Sequence, residues 1–122
     1  MTPFLYVSQD AELNKVKQFL VEDDTNTYPY RLPTQDCRWF SRKLRTNARA
    51  QGIEINIVTL SNGSEGHMLC YFKSGGTFYF VEPQSDYIFN SKEELRELYP
   101  DIYHIAMRPI YLGLKVLPEG TK

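Results

Sequence analysis

The chain has 122 residues, 42% of them hydrophobic and 14% aromatic, with a formal net charge of −1. That length and composition fit one folded domain over residues 1–122 and exclude a disordered chain. The near-zero charge removes any global pull toward nucleic acid or an anionic membrane, and no apolar run approaches the roughly 20 residues of a membrane-spanning helix.

Taken in order, Thr2–Val7 is a short apolar stretch, read as a β-strand or an arm packed on the core. Ser8 or Asp10 then caps a helix to about Val21, whose apolar residues Ala11, Leu13, Val16, Phe19 and Leu20 lie close to one face. Pro29 and Pro33 keep the following segment extended or turned as it leads into Cys37. A second helix is predicted from about Gln35 to Ala50, stopped at Gly52, with Arg38, Arg42, Lys43, Arg45 and Arg49 as a basic run. Ile53–Leu60 alternates and is β-branched, which predicts a half-buried strand. Ser61–Gly66 is a loop that delivers His67. Two runs rich in aromatic and aliphatic residues then flank Ser74-Gly75-Gly76 and predict a β-hairpin. Ser85–Asn90 is a connection or short strand, and Ser91-Lys92-Glu93-Glu94 is a capping-box pattern opening a helix to Leu98 or Tyr99. Ile102–Met107 and Tyr111–Leu117 read as two further strands around Pro109, and Pro118–Lys122 as a frayed tail. The order predicts an α+β domain, an antiparallel sheet packed against an N-terminal helical part.

The hairpin carries the chemistry. A two-residue Ser74–Gly75 turn would pair Lys73 with Gly76 and set His67 directly opposite Glu82, with Cβ atoms about 4.5–5.5 Å apart. The carboxylate would then hold one imidazole nitrogen and favour the charged ring. A nucleophile would complete the set. Cys37, placed where a loop enters a helix, would feel the unpaired N–H groups and positive dipole end that favour thiolate.

These residues resemble the transglutaminase-like cysteine enzymes, which share a papain-like core. That family sets a Cys at the start of a helix, a His at the start of a strand and an acid in the next strand. Its third motif commonly reads Val-Asp-Pro and a polar residue, about fifteen positions after the His. Here Gly66-His67 and Val81-Glu82-Pro83-Gln84 have that spacing, with Glu82 one methylene longer than the usual Asp and Arg38-Trp39-Phe40 following Cys37. The resemblance implies a catalytic Cys37-His67-Glu82 triad, with Asp86 as the fallback acid, acting on a protein or peptide substrate by amide hydrolysis or acyl transfer. It also implies an oxyanion contribution from a residue just upstream of Cys37, for which Gln35, Tyr28 and Tyr30 stand as candidates.

Plainer readings stand beside these. A lone cysteine is more often a small buried hydrophobe than a nucleophile. Cys70, mid-strand, reads as buried and inert, and His104 as structural. The helix arginines read as a solvated face, or as a surface for an acidic partner. With only Cys37 and Cys70, neither a disulfide framework nor a zinc site is expected, and no cofactor. The N-terminus shows no secretory pattern, so a reducing cytoplasm is the expected location. The alternatives to catalysis are an inactive transglutaminase-like fold that binds protein, and a small interaction module, such as a viral or accessory protein, that binds a basic or acidic partner. Oligomeric state is left open by the sequence.

Overall fold

The computed structural model describes residues 2–102 and 104–108, with side chains from Ala11 to Met107 except Tyr103. The chain forms helix α1 (Thr2–Glu22), a 3₁₀ turn (Thr25–Thr27) and helix α2 (Cys37–Ala50). Strands β1 (Asn56–Ser61), β2 (Gly66–Ser74), β3 (Thr77–Glu82) and β4 (Tyr87–Phe89) follow, then helix α3 (Lys92–Leu98) and strand β5 (His104–Arg108). The strands build one five-stranded sheet in the order β4-β3-β2-β1-β5, with every neighbouring pair antiparallel. The expected α+β class with N-terminal helices on an antiparallel sheet is the observed one.

Strand alternation sends successive β2 side chains to opposite faces. Cys70 and Phe72 join Val81 under Val16, Phe19 and Leu20 of α1 and Leu44 and Ala48 of α2. Leu69 and Tyr71 join Val58, Leu60, Phe80 and Phe89 under Leu95 of α3. The sheet is therefore a shared wall between two apolar clusters, and β2 lies at its centre. Polar links fix the helices laterally. Ser74 Oγ accepts the Leu13 N–H at 2.9 Å, Ser41 Oγ donates to the Met68 carbonyl at 3.1 Å, and Asn47 Nδ2 donates to Asp23 Oδ1 at 2.7 Å.

Several expectations are corrected. Thr2–Val7 is the first part of α1, not a strand, and Ser8 and Asp10 lie inside that helix, so neither caps it. Pro3 falls in the first turn, where its missing N–H has no intrahelical partner to lose. Helix α2 begins at Cys37, two residues later than predicted, because Asp36 caps it by accepting the Arg38 and Trp39 N–H groups. Strand β1 begins at Asn56; Ile53 and Ile55 precede it but are buried in the helical-side cluster.

The largest correction is the hairpin register. Ser74 pairs with Thr77, so the turn is Gly75–Gly76 and not Ser74–Gly75. Both glycines have positive φ, 59° and 83°. A turn of that hand needs left-handed backbone at both central residues, which glycine accepts and serine resists.

The remaining elements follow expectation. Ser91 Oγ accepts the Glu94 N–H at 3.1 Å to open α3, and Tyr87–Phe89 is a short strand. The strand predicted over Ile102–Met107 is instead His104–Arg108, and His104, expected to be structural, is exposed at its start. The predicted Tyr111–Leu117 strand and the 118–122 tail lie outside the described residues. Among the described residues, no helix is long and apolar enough to cross a membrane.

Candidate active site

Three elements converge on His67. The first is the N-terminus of α2. A tight loop delivers it: the Arg31 N–H donates to the Gln35 carbonyl at 2.9 Å, the Gln35 N–H returns to the Arg31 carbonyl at 2.6 Å, and Gln35 Nε2 donates to the Pro29 carbonyl at 2.6 Å. Asp36 then caps the helix, and its carboxylate is also held by Arg38 at 2.7 Å. That guanidinium and the capping N–H groups keep the Asp36 carboxyl below its usual range. Cys37 is thus the first helical residue, half-buried, with a main-chain N–H that has no intrahelical acceptor.

The second element is the start of β2, which carries His67 two residues before the buried Leu69. The third is the end of β3, which carries Glu82. In the observed register Glu82 falls across from Leu69, diagonal to His67, where Cβ atoms stand about 7–8 Å apart. A shift of two residues preserves the face. The longer glutamate spans the diagonal, and His67 Nε2 lies 2.8 Å from Glu82 Oε1. The side chains of His67 and Glu82 are 24% and 13% exposed.

The thiol of Cys37 and the imidazole of His67 stand close enough for each to shift the other's titration. His67 is the strongest influence on the thiol and lowers its pKa; burial opposes it, and the Met68 N–H adds to it. For His67, burial alone favours the neutral ring. Hydrogen bonds to Cys37 and Glu82, with the charges of both, overcome burial and push the imidazole up to about 9. A lowered thiol and a raised imidazole are the signature of a thiolate–imidazolium pair. Cys70 is the contrast. Fully buried, it donates to the Ser41 carbonyl at 3.5 Å, and burial pushes its thiol up to about 12.

Two further residues complete the surroundings of Glu82. Tyr99, the last residue of α3's cap, donates its hydroxyl to Glu82 Oε1 at 3.3 Å and tilts its ring against His67, with centroids 5.4 Å apart. Burial pushes that phenol up to about 12, aided by the Glu82 charge. Gln84 gives its main-chain N–H to Glu82 Oε2 at 3.3 Å and its side-chain amide at 3.4 Å. The polar position after Val81-Glu82-Pro83 was visible in the sequence as part of a motif. Tyr99 had no sequence signal, since it reaches the site only by the packing of α3.

The other candidates sit elsewhere. Asp86, the fallback acid, occupies the turn before β4 with φ 66°, and burial beside Asp23 pushes its carboxyl up to about 6. The Gln35 amide is committed to Pro29. Tyr28 sets its ring edge on Trp39 at 5.3 Å under Lys43, and Tyr30 stacks on Phe40 at 6.1 Å. Among the described residues, no group of three or more His, Cys, Asp or Glu could hold a metal ion.

No protein-family model matches the chain, and no curated protein matches it. Solved structures do. The PSL1a–E64 complex is 17% identical with a TM-score of 0.58, over 66% of this chain and 34% of that one. A Polyporus squamosus lectin bound to a human-type influenza-binding epitope, Neu5Acα2-6Galβ1-4GlcNAc, is 16% identical with a TM-score of 0.59, over 75% of this chain and 36% of that one. At these identities the likeness is one of fold. What is shared is the arrangement of N-terminal helices on an antiparallel sheet. The chain spans about a third of each of those proteins.

Proposed function

We propose that the chain is a single transglutaminase-like domain that performs cysteine-dependent acyl transfer or amide hydrolysis on a protein or peptide through Cys37, His67 and Glu82. The observation that carries this reading is the 2.8 Å contact of the His67 imidazole with Glu82, beside a Cys37 thiol that His67 lowers and that in turn helps raise the imidazole. The fold likeness to a protein bound to the peptide-like inhibitor E64 supports it. Both cysteines are free, as a reducing cytoplasmic setting would keep them.

In this mechanism the Cys37 thiolate adds to the substrate carbonyl, and the carbonyl π electrons move to oxygen. The Cys37 N–H receives that oxyanion, a contribution of about 2.7–4 kcal/mol per donor in comparable sites. The tetrahedral species collapses, the C–N bond breaks, and His67 delivers its proton to the departing amine. Water or a second amine then gives its proton to His67 and attacks the thioester, returning the thiolate. Glu82 holds the ring and its charge throughout, and Tyr99 and Gln84 position Glu82.

A second reading is a catalytically silent version of the fold that binds protein. It draws support from Gln35, whose amide is spent on the Pro29 carbonyl and not offered beside the thiol. Iodoacetamide alkylation of Cys37 against pH, read by mass spectrometry with Cys70 as the internal control, separates the two. Catalysis requires a Cys37 titration well below the ordinary ~8.5 that climbs in His67→Ala. An ordinary titration unchanged by that substitution leaves only the silent reading.

A further inference from the structure

A cavity of about 260 Å³ opens against His67. Its walls include His67, Tyr99, Pro100 and Ile102, and Glu65 and Asp101 stand at it as exposed carboxylates. Cys37 does not line it, so the cavity meets the imidazole and not the sulfur. That placement has a mechanistic meaning. The imidazolium must hand its proton to the departing nitrogen, and later take one from the incoming nucleophile. The leaving segment and the acyl acceptor therefore pass beside His67, a residue of this cavity's wall.

The lining matches one kind of side chain. Tyr99, Pro100 and Ile102 offer apolar and aromatic surface suited to a methylene stem, and the carboxylates suit a cationic head. The charge of His67 is matched by Glu82 at 2.8 Å, and Arg96, hydrogen-bonded to the Ile102 carbonyl at 3.3 Å, is the cation that the two carboxylates must outweigh. The Glu65 side of the cavity is preordered. Asn62 Oδ1 accepts the Ser64 and Glu65 N–H groups at 3.0 and 2.8 Å, and the Asn62 N–H donates to the Glu65 carbonyl at 3.1 Å. The Glu65 backbone is thus fixed, and binding has only side chains to order on that wall.

We infer that this cavity receives a lysine or arginine side chain on the leaving-group side of the scissile amide, and equally that of an amine accepting the acyl group. The inference rests on the acyl-transfer reading above. It makes the protein selective for basic residues immediately after the bond it cleaves.

The test uses p-nitrophenyl acetate, which acetylates Cys37 and expels p-nitrophenolate. Arginine amide, leucine amide and glutamic acid α-amide then compete with water for the thioester. The acceptor nitrogen bonds to the acetyl carbon, its proton passes to His67, and the thiolate departs. Mass spectrometry counts each N-acetyl amide. Arginine amide should capture the acetyl group at about tenfold lower concentration than leucine amide, at up to about fivefold per exposed ion pair, and glutamic acid α-amide should be worst. The preference should shrink in about 0.5 M salt. Glu65→Gln with Asp101→Asn should bring the arginine-to-leucine ratio to within about twofold, and Glu65→Asp should restore part of it. Acylated native protein that uses the two amides equally, at low salt, overturns the cavity assignment alone. Failure of Cys37 to acylate overturns the acyl-transfer reading and this inference with it.

Discussion

Glu82→Gln keeps the shape of the side chain and removes the charge facing the imidazole. The contact is 2.8 Å long between side chains 24% and 13% exposed, so solvent screens it little. A hydrogen bond to a charged group contributes about 1.5–3 kcal/mol, and one pKa unit corresponds to about 1.4 kcal/mol. Loss of the carboxylate should therefore lower His67 by about one to two units, from about 9 to roughly 7–8. The remaining elevation belongs to Cys37. Histidine side-chain NMR resolves the titration, with His104→Gln assigning the second resonance. The stability effect has a defined pH window. A histidine raised from 6.5 to about 9 contributes stability fully below 6.5 and loses it as pH rises through 9. The cost of Glu82→Gln should thus be greatest near pH 6 and fade above pH 9, read from urea midpoints. A His67 titration that moves by less than about half a unit would refute the diagonal ion pair as the cause of the raised imidazole.

Asp36→Asn should keep the α2 cap, since Asn caps about as well as Asp. It removes a negative charge that opposes the Cys37 thiolate, so the thiol should titrate lower still in an alkylation profile. Asp86→Asn should raise the urea midpoint at pH 8 and change little at pH 4. A carboxyl raised to about 6 costs stability as pH climbs above its ordinary value, and solvent access limits the gain to about 1 kcal/mol. Asparagine also tolerates the φ of 66° there. Leu44→Ala, at a site with no exposed surface between α2 and the sheet, should cost about 2–5 kcal/mol in urea unfolding.

Much of this architecture was local and therefore legible. Ser91 and Glu94 marked the start of α3, Gly52 the end of α2, and alternation in Ile53–Leu60 the strand that became β1. The α+β class followed from element order. The pairing of His67 with Glu82 was legible, because both flank one hairpin and a slip of two residues leaves them on one face.

Other features depended on distant contacts. Which two residues form the turn was decided by backbone sterics, with Gly75 and Gly76 accepting positive φ where Ser74 would not. That moved Glu82 to a diagonal and made its extra methylene the means of reaching His67. Helix α1 ran back through Ser8 and Asp10, since capping residues mark a helix start only where the chain leaves the helix. Tyr99 reached Glu82 because α3 packs Leu95 over the sheet, a contact no periodicity encodes. The meeting of Cys37 with His67 was likewise tertiary. By itself the sequence determined a thiol at a helix start and an imidazole and carboxylate on one hairpin face. Only the packing of α2 against β2, through Ser41, Leu44 and the sheet they cover, brought the thiol near enough to the imidazole to be lowered by it, because proximity between residues 30 apart is set by the shared core and not by either segment.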